Sequence, residues 1–326
     1  MKAAWYEGFG AADAVLTVGE MPDPVPGTGE VLVRLHASGV NPSDVKLRSG
    51  ARPGAVMAWP RVVPHSDGAG VIVDAGPGVD RSRIGQRVWI WNGQWQRAQG
   101  TAAALIALPQ DQAVFLPDGT SFAQGAAFGI PAMTAWYALY ADGPIAGKTV
   151  LVTGGAGSVG RYACQMAKLG GARVITTVSS DEKATHSTAA EWVNYKTQDV
   201  VQAVTDMTDG QGVDRIVEVD FAANQTASLG LIRNGGVIAS YASASQMQPK
   251  LDFYPFMFKN AALKMLIVYL LDPQARLAGQ AQLHEWLSAG QLTHATVPGG
   301  DLKDVAQAHQ IVEAGQKLGT VVIDIA

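Results

Sequence analysis

Three glycines, Gly155, Gly157 and Gly160, stand at the spacing G-x-G-x-x-G within Gly154-Gly155-Ala156-Gly157-Ser158-Val159-Gly160. The first lets the chain turn sharply. The second removes a side chain, so backbone N–H groups can approach a pyrophosphate, and the third lets a helix pack close to a strand. Such a spacing is weak by itself and gains meaning only between a strand and a helix. Both are expected here, since Thr149–Thr153 reads as a buried strand and Arg161–Leu169 as a helix. The helix N-terminus would add N–H groups and partial positive charge for an anion. A tight strand–helix turn without ligand is the plainer alternative. The context favours dinucleotide binding.

A site for NAD usually carries Asp or Glu at the end of the second strand, about 20 residues on, to hold the ribose 2′-OH. The second strand here is Arg173–Val178, followed by Ser179-Ser180-Asp181-Glu182-Lys183. No acid ends the strand. Hydroxyls at Ser179 and Ser180 and the amine of Lys183 suit a 2′-phosphate, so NADPH is the expected cofactor. Asp181 and Glu182 argue the other way unless they open the next helix. Ser179 and Lys183 could also form an ordinary solvated turn.

The elements around this turn come in two textures. Up to about residue 120 the chain reads as strands and irregular structure, with Glu30–Ala37 alternating apolar and polar and further strand-like pieces at 69–74 and 86–91. From Gln124 it becomes rich in Ala and Leu, and from Gly147 strands and helices alternate. That alternation predicts a doubly wound α/β unit with a parallel sheet. The C-terminal part adds a strand near 263–269, helices near 274–289 and 304–314, and a last strand at 320–325. With 326 residues, two domains are expected. The segment Lys264–Leu270 reads as an edge strand able to pair with another subunit.

Other chemistries find little support. The net charge of −4 and pI near 5.9, without a Lys/Arg cluster, disfavour nucleic acid and anionic membranes. No apolar stretch is long enough to span a bilayer, and Met1–Glu7 lacks the apolar core of a signal peptide, so a cytoplasmic location is expected. One cysteine, Cys164, excludes both an internal disulfide and a cysteine-built zinc site. It reads as a small buried apolar residue. His36, His65, His186, His284, His294 and His309 show no metal-ligand spacing. Trp89 and Trp91 share one strand face and read as core.

The segments Gly39-Val40-Asn41-Pro42, Arg48-Ser49-Gly50, Ser66-Asp67 with Ala69-Gly70-Val71-Ile72, Gln124–Ala127 with Gly129-Ile130-Pro131, and Ala163-Cys164-Gln165 resemble, as a set and essentially end to end, the zinc-free medium-chain dehydrogenases/reductases of the quinone oxidoreductase (zeta-crystallin) family. In the zinc alcohol dehydrogenases a cysteine takes the place of Asn41 and a histidine that of Ser66; His65 is one place off. The resemblance implies a GroES-like catalytic domain from residues 1–123 and 263–326 around a Rossmann domain at 124–262. It also implies NADPH, a small quinone or conjugated carbonyl substrate, and a homodimer or homotetramer. It assigns Gly155, Gly157, Ser158, Val159 and Gly160 to the pyrophosphate, and Ser179, Lys183 and Tyr195 to the 2′-phosphate. Asn41 and Thr134 fall near the nicotinamide, and Ser240 and Tyr241 on the cofactor's other side. Two departures stand out. Many members carry a tyrosine after Arg-Ser-Gly, where this chain has Ala51-Arg52-Pro53, so Arg52 takes its place or the proton donor is missing. The family's Gly-Lys before the last strand is Gly319-Thr320, with Lys317 upstream.

Quinones and enones are already electrophilic, so positioning them against the nicotinamide supplies much of the catalysis. Asn41 could donate to the developing oxyanion, or merely serve turn chemistry before Pro42. Arg52 could offer a cation there, or be an exposed loop residue. Three functions stay open: an NADPH:quinone reductase, an enone or alkenal double-bond reductase, and a non-catalytic, crystallin-like NADPH-binding protein. An ordinary alcohol dehydrogenase is disfavoured, because an unactivated carbonyl needs a Lewis acid or a clear proton donor.

Overall fold

The computed structural model describes residues 1–51 and 54–325. Its strands begin with β1 (Lys2–Trp5), β2 (Thr17–Glu20), β3 (Glu30–Val40), β4 (Asp67–Ala75), β5 (Arg87–Ile90), β6 (Leu105–Pro109) and β7 (Ala113–Phe115). They continue as β8 (Thr149–Val152), β9 (Arg173–Val178), β10 (Glu191–Asn194), β11 (Val213–Glu218), β12 (Ile232–Ser240), β13 (Ala262–Met265), β14 (Thr296–Asp301) and β15 (Thr320–Asp324). The chain divides into two compact units. Unit one joins Met1–Ile130 to Gln280–Ala326, and unit two is Pro131–Gly279. The divisions expected at 123/124 and 262/263 thus fall at 130/131 and 279/280. The second moves because β13 pairs with β12 and ends the sheet of unit two.

In unit one the strands order as β14-β15-β3-β4-β5-β7, with β6 also on β3. All of these pairs are antiparallel except β14 with β15. The period-two pattern of β3 buries Val31, Val33 and Leu35 against Ile72, Val88, Ile106 and Leu108. The alternation then stops, and Ala37–Val40 are buried throughout. There Gly39 is needed, since a Cβ would collide with the carbonyl of Ala126. The helix Val305–Glu313 buries Val305, Ala308 and Val312 in a second cluster with Val40, Val321 and Ile323. Each such fully buried Val, Leu or Ile contributes about 1.5–3 kcal/mol. Strand β14 was not expected from Thr296-Val297-Pro298-Gly299-Gly300-Asp301. It survives its proline because it is an edge strand, paired only with β15 among the described residues.

Unit two is a six-stranded parallel sheet in the order β10-β9-β8-β11-β12-β13. This is the doubly wound order in which the chain reverses direction between the first and fourth strands, here β8 and β11. Leu151, Ile175, Val193, Ile216 and Ile238 from the strands pack with Val204, Phe221, Leu231 and Phe256 from the helices. Strand β11 is buried along its whole length despite Asp214, Arg215 and Glu218. The Arg215 guanidinium is satisfied by the Ala138 carbonyl at 2.7 Å and the Asp142 carboxylate at 2.8 Å. The apolar run at 263–269 is strand only to Met265, and Val268–Leu270 closes a 3₁₀ turn. No described helix is long and apolar enough to cross a membrane.

Candidate functional site

The glycine turn leaves β8 and enters the helix Ser158–Leu169. Its left-handed residue is Gly154, at φ +69°, which takes over the sharp turn expected of Gly155. Gly155 is needed for a different reason. A Cβ there would collide with Thr176 Oγ1 of the neighbouring β9, and that hydroxyl is held by its bond to the Val152 carbonyl at 2.7 Å. Gly160 does what was expected of the third glycine, since a Cβ would strike the Gly154 backbone. Gly157 is the N-cap and brings no capping side chain to the first turn. Close backbone approach and a helix N-terminus therefore coincide, as an anion cradle requires.

Two anchors fix this turn that the local sequence does not reveal. Glu218, fully buried at the end of β11, accepts from Thr153 Oγ1 at 3.0 Å, Asn224 Nδ2 at 2.7 Å, Ser228 Oγ at 3.2 Å and its own near neighbour Asp220 N at 2.6 Å. Thr153 Oγ1 in turn receives Val219 N–H at 2.9 Å. The residue just before the glycines is thus tied to the strand across the switch point.

Ser179 follows β9 directly, and Ser180 caps the helix Asp181–Ser187 by accepting from Lys183 N at 3.3 Å. Asp181 and Glu182 lie in that first helical turn, the structural place the sequence allowed them. Tyr195 follows β10, is half exposed, and its N–H bonds the Val178 carbonyl at the end of β9 at 3.0 Å. Ser179, Lys183 and Tyr195 are thereby gathered at the C-terminal ends of β9 and β10. Ser240 ends β12 and Tyr241 follows it, with its N–H on the Glu218 carbonyl at 3.2 Å. Thr134 is buried in the helix Gly129–Tyr140. Cys164 lies buried in the helix after the cradle, where burial pushes its thiol up to about 12.

Asn41 belongs to unit one. It is the N-cap of the helix Pro42–Ser49, its N–H donates to Asp44 Oδ2 at 2.7 Å, and its side-chain Nδ2 donates to Asp67 Oδ2 at 2.7 Å. The other Asp67 oxygen accepts from Ile130 N at 2.8 Å. Burial and nearby Asp44 push the Asp67 carboxyl well above the usual range, against the pull of Asn41 and Ile130. Ser66 beside it is buried. Arg52 lies outside the described residues.

Behind this seat the fold unites two histidines 244 residues apart in sequence, a pairing that no spacing signalled. His309 Nε2 and His65 Nε2 are 2.9 Å apart; His65 Nδ1 meets Ser38 Oγ at 2.9 Å, and Ser38 Oγ meets Thr101 Oγ1 at 2.7 Å. Thr101 Oγ1 donates to the Asp67 carbonyl at 2.6 Å, which orders the protons along the chain. Ser38 then donates to Thr101, His65 Nδ1–H to Ser38, and His309 Nε2–H to His65. Both rings are neutral in this arrangement. Burial, with each ring facing a second group (His309 for His65, Arg48 for His309), lowers both values, that of His309 to about 3. Trp89 and Trp91 are buried, and Trp89 meets Phe128 edge-on at 5.2 Å.

Two family descriptions match the chain: zinc-binding dehydrogenase over residues 158–284 and alcohol dehydrogenase GroES-like domain over residues 27–118. The quinone oxidoreductase of Mus musculus is 34% identical over 244 residues, 72% of this chain and 71% of the relative. A mycobacterial protein complexed with NADPH superimposes with a TM-score of 0.87 at 29% identity, covering 100% of both chains. A 2-haloacrylate reductase superimposes with a TM-score of 0.84 at 26% identity, over 100% of this chain and 99% of that one. Sheet order, cradle and likeness agree, and the chain belongs to the quinone oxidoreductase family of the medium-chain dehydrogenases/reductases.

Proposed function

We propose that this oxidoreductase passes hydride from NADPH to a quinone without zinc. The observation that carries the reading is the donor set around Asn41. Where zinc dehydrogenases use cysteine and histidine, this chain offers an amide, itself bonded to Asp67, and the hydroxyl of Ser66. Neither is a usual zinc ligand, and no group of three or more His, Cys, Asp or Glu that could hold a metal occurs among the described residues. The residues present do not fit that metal.

They do fit NADPH. The cradle Gly155, Gly157, Ser158, Val159 and Gly160 suits a pyrophosphate, and Ser179, Lys183 and Tyr195 suit a 2′-phosphate. The likeness to the NADPH-complexed mycobacterial protein supports the same cofactor here. Bound NADPH supplies hydride from the nicotinamide. The chain's part is to hold and to polarise. Thr134, Ser240 and Tyr241 would hold the nicotinamide half, and Asn41 would donate an N–H to the oxygen on which charge develops. Arg52 is assigned the same oxygen.

A second reading, reduction of an enone or alkenal double bond, is favoured by the likeness to the 2-haloacrylate reductase. We further propose a cytoplasmic homodimer or homotetramer. The assembly is supported by β13, which pairs only with β12 among the described residues and lies near exposed Tyr254, Phe258, Met265 and Leu270 in sequence. A monomeric elution at micromolar concentration counts against it.

The deciding experiment follows NADPH oxidation at 340 nm with 1,4-benzoquinone and with 2-cyclohexen-1-one, repeated with NADH and with a chelator. Quinone turnover, preference for NADPH and indifference to chelator are expected. Faster turnover of the enone selects the second reading. Tight NADPH binding without turnover of either acceptor selects a non-catalytic role.

A further inference from the structure

We infer that Asp67 is the positioning residue that sets which end of the Asn41 amide faces the reacting oxygen. The inference rests on the donor role proposed for Asn41. An asparagine amide is nearly the same shape when turned by 180°, so packing alone does not choose between its donor and acceptor ends. At Asn41 the choice is made by an acceptor. In its ionised form Asp67 Oδ2, 2.7 Å away, admits Nδ2 and repels Oδ1. One N–H is thereby used, and the second leaves Nδ2 in a determined direction. Preorganised donors of this kind need no reorientation as charge develops.

The seat is built to hold the carboxylate itself. Its other oxygen is occupied by Ile130 N–H at 2.8 Å, so the group cannot rotate away. A Cβ on Gly129 would collide with Oδ1, and a Cβ on Gly39 would press on the Asp67 Cβ at 3.3 Å. The Asp67 carbonyl is fixed as well, by Thr101 Oγ1 at 2.6 Å. No ion pair involving Asp67 occurs among the described residues. Burying a carboxyl without a cation is costly, and an apolar side chain would pack a structural joint more cheaply. The carboxylate makes sense as the group that orients Asn41.

The isosteric D67N change tests this directly. Its amide can meet Ile130 N–H with Oδ1 and turn Nδ2 toward Asn41, which satisfies every bond only if the Asn41 amide reverses. D67N is therefore expected to fold with a Tm no lower than the parent and to bind NADPH within about twofold. Its kcat with 1,4-benzoquinone should drop roughly 100- to 1,000-fold, the scale of a lost oxyanion donor. In the N41A background the same change should cost nothing further. Unchanged kcat in D67N, or an equal loss on top of N41A, overturns the inference. N41A with parental kcat overturns the donor role of Asn41 instead.

A readout independent of turnover is the side-chain amide ¹H–¹⁵N spectrum, with the Asn41 signal assigned from N41D. A protected Asn41 amide proton that loses its protection in D67N supports the inference even if quinone proves to be the wrong acceptor. An exchanging Asn41 amide in the parent protein overturns it. Should D67N not fold, the swap N41D/D67N keeps the same bonds with donor and acceptor exchanged. A swap that recovers the melting temperature lost in N41D alone supports the inference; a swap no more stable than N41D alone overturns it.

Discussion

The glycine cradle of unit two and the Asn41 seat of unit one are built on opposite principles. The cradle spans seven consecutive residues and acts through backbone, so its chemistry lies in what the side chains lack. The seat draws on Ser38, Asn41, His65, Asp67, Thr101 and His309 and acts mainly through side chains, with the Ile130 backbone N–H holding one Asp67 oxygen. One is robust to its surroundings and intolerant of added atoms. The other tolerates changes of size poorly and changes of proton inventory worse. Substitutions that separate stability from binding sharpen this contrast.

The largest effect is expected in the cradle. G160A places a methyl against the Gly154 backbone, so the turn must deform. Overpacking of this kind costs about 1–3 kcal/mol. Displacing several N–H donors should also weaken NADPH binding by roughly 100-fold, as the loss of about two to three hydrogen bonds implies. G157A is the counterpart. At φ −74° the nearest obstruction to a Cβ is the Gly154 carbonyl at 3.3 Å, so alanine fits after a small shift. Its stability should stay within about 0.5 kcal/mol while the methyl still blocks the pyrophosphate. Thermal melts and NADPH fluorescence titrations check both. Equal losses of stability in the two variants would remove the distinction between packing glycine and approach glycine.

The next effect belongs to the seat and appears in acid. His65 and His309 are held neutral in the folded state, with their values lowered chiefly by burial. The unfolded chain takes up protons on both below about 6.5, so their contribution to stability is complete above that pH and is lost as pH falls toward about 3. Asp67 has the opposite sign. Its value is raised, so above the ordinary carboxylate range the folded state holds its proton longer than the unfolded chain, and stability rises as pH falls. Melting temperature against pH should therefore decline from pH 7 to 4 in the parent, less in H309L and more in D67N. A parallel decline in all three would show that other groups govern the acid response.

This contrast also explains what the sequence disclosed. The cradle was legible because a contiguous spacing, a buried strand before it and a helix after it carry one message. Even there the left-handed turn fell on Gly154 and the close contact of Gly155 on Thr176, because both depend on the neighbouring strand β9. Asn41 was legible only through the resemblance. Its partner Asp67, 26 residues on, stood in the Ser66-Asp67 motif without a role, and His65 and His309 looked scattered. Glu218 carried no local signal, since a glutamate ending an apolar strand becomes an anchor only once Thr153, Asn224 and Ser228 fold around it. Strand β14 was hidden by Pro298-Gly299-Gly300, punctuation that an edge strand tolerates.

A smaller effect is expected at Lys183. Only its backbone N–H serves the helix cap on Ser180, so K183A should leave the melting temperature unchanged. Loss of one charge-assisted contact to a 2′-phosphate corresponds to about 1.5 kcal/mol, a roughly tenfold fall in preference for NADPH over NADH. The ratio of kcat/KM for the two cofactors measures it. An unchanged ratio would shift the phosphate contact to Ser179 and Tyr195.

The smallest effect is predicted for Cys164, and its smallness is informative. The residue sits on the helix that begins with the cradle, and thiols near helix N-termini are often activated. Here the thiol lies on the second turn, fully enclosed, and burial raises it to about 12 despite Arg161 nearby. The neutral thiol dominates at pH 8, so iodoacetamide should leave activity intact over an hour without denaturant. C164A removes one sulfur from a tight site and should cost about 1 kcal/mol with no change in NADPH affinity. Rapid inactivation by iodoacetamide, prevented by NADPH, would mean that the helix opens beneath the cradle. The backbone-built site would then be the more mobile of the two regions, the reverse of what their construction implies.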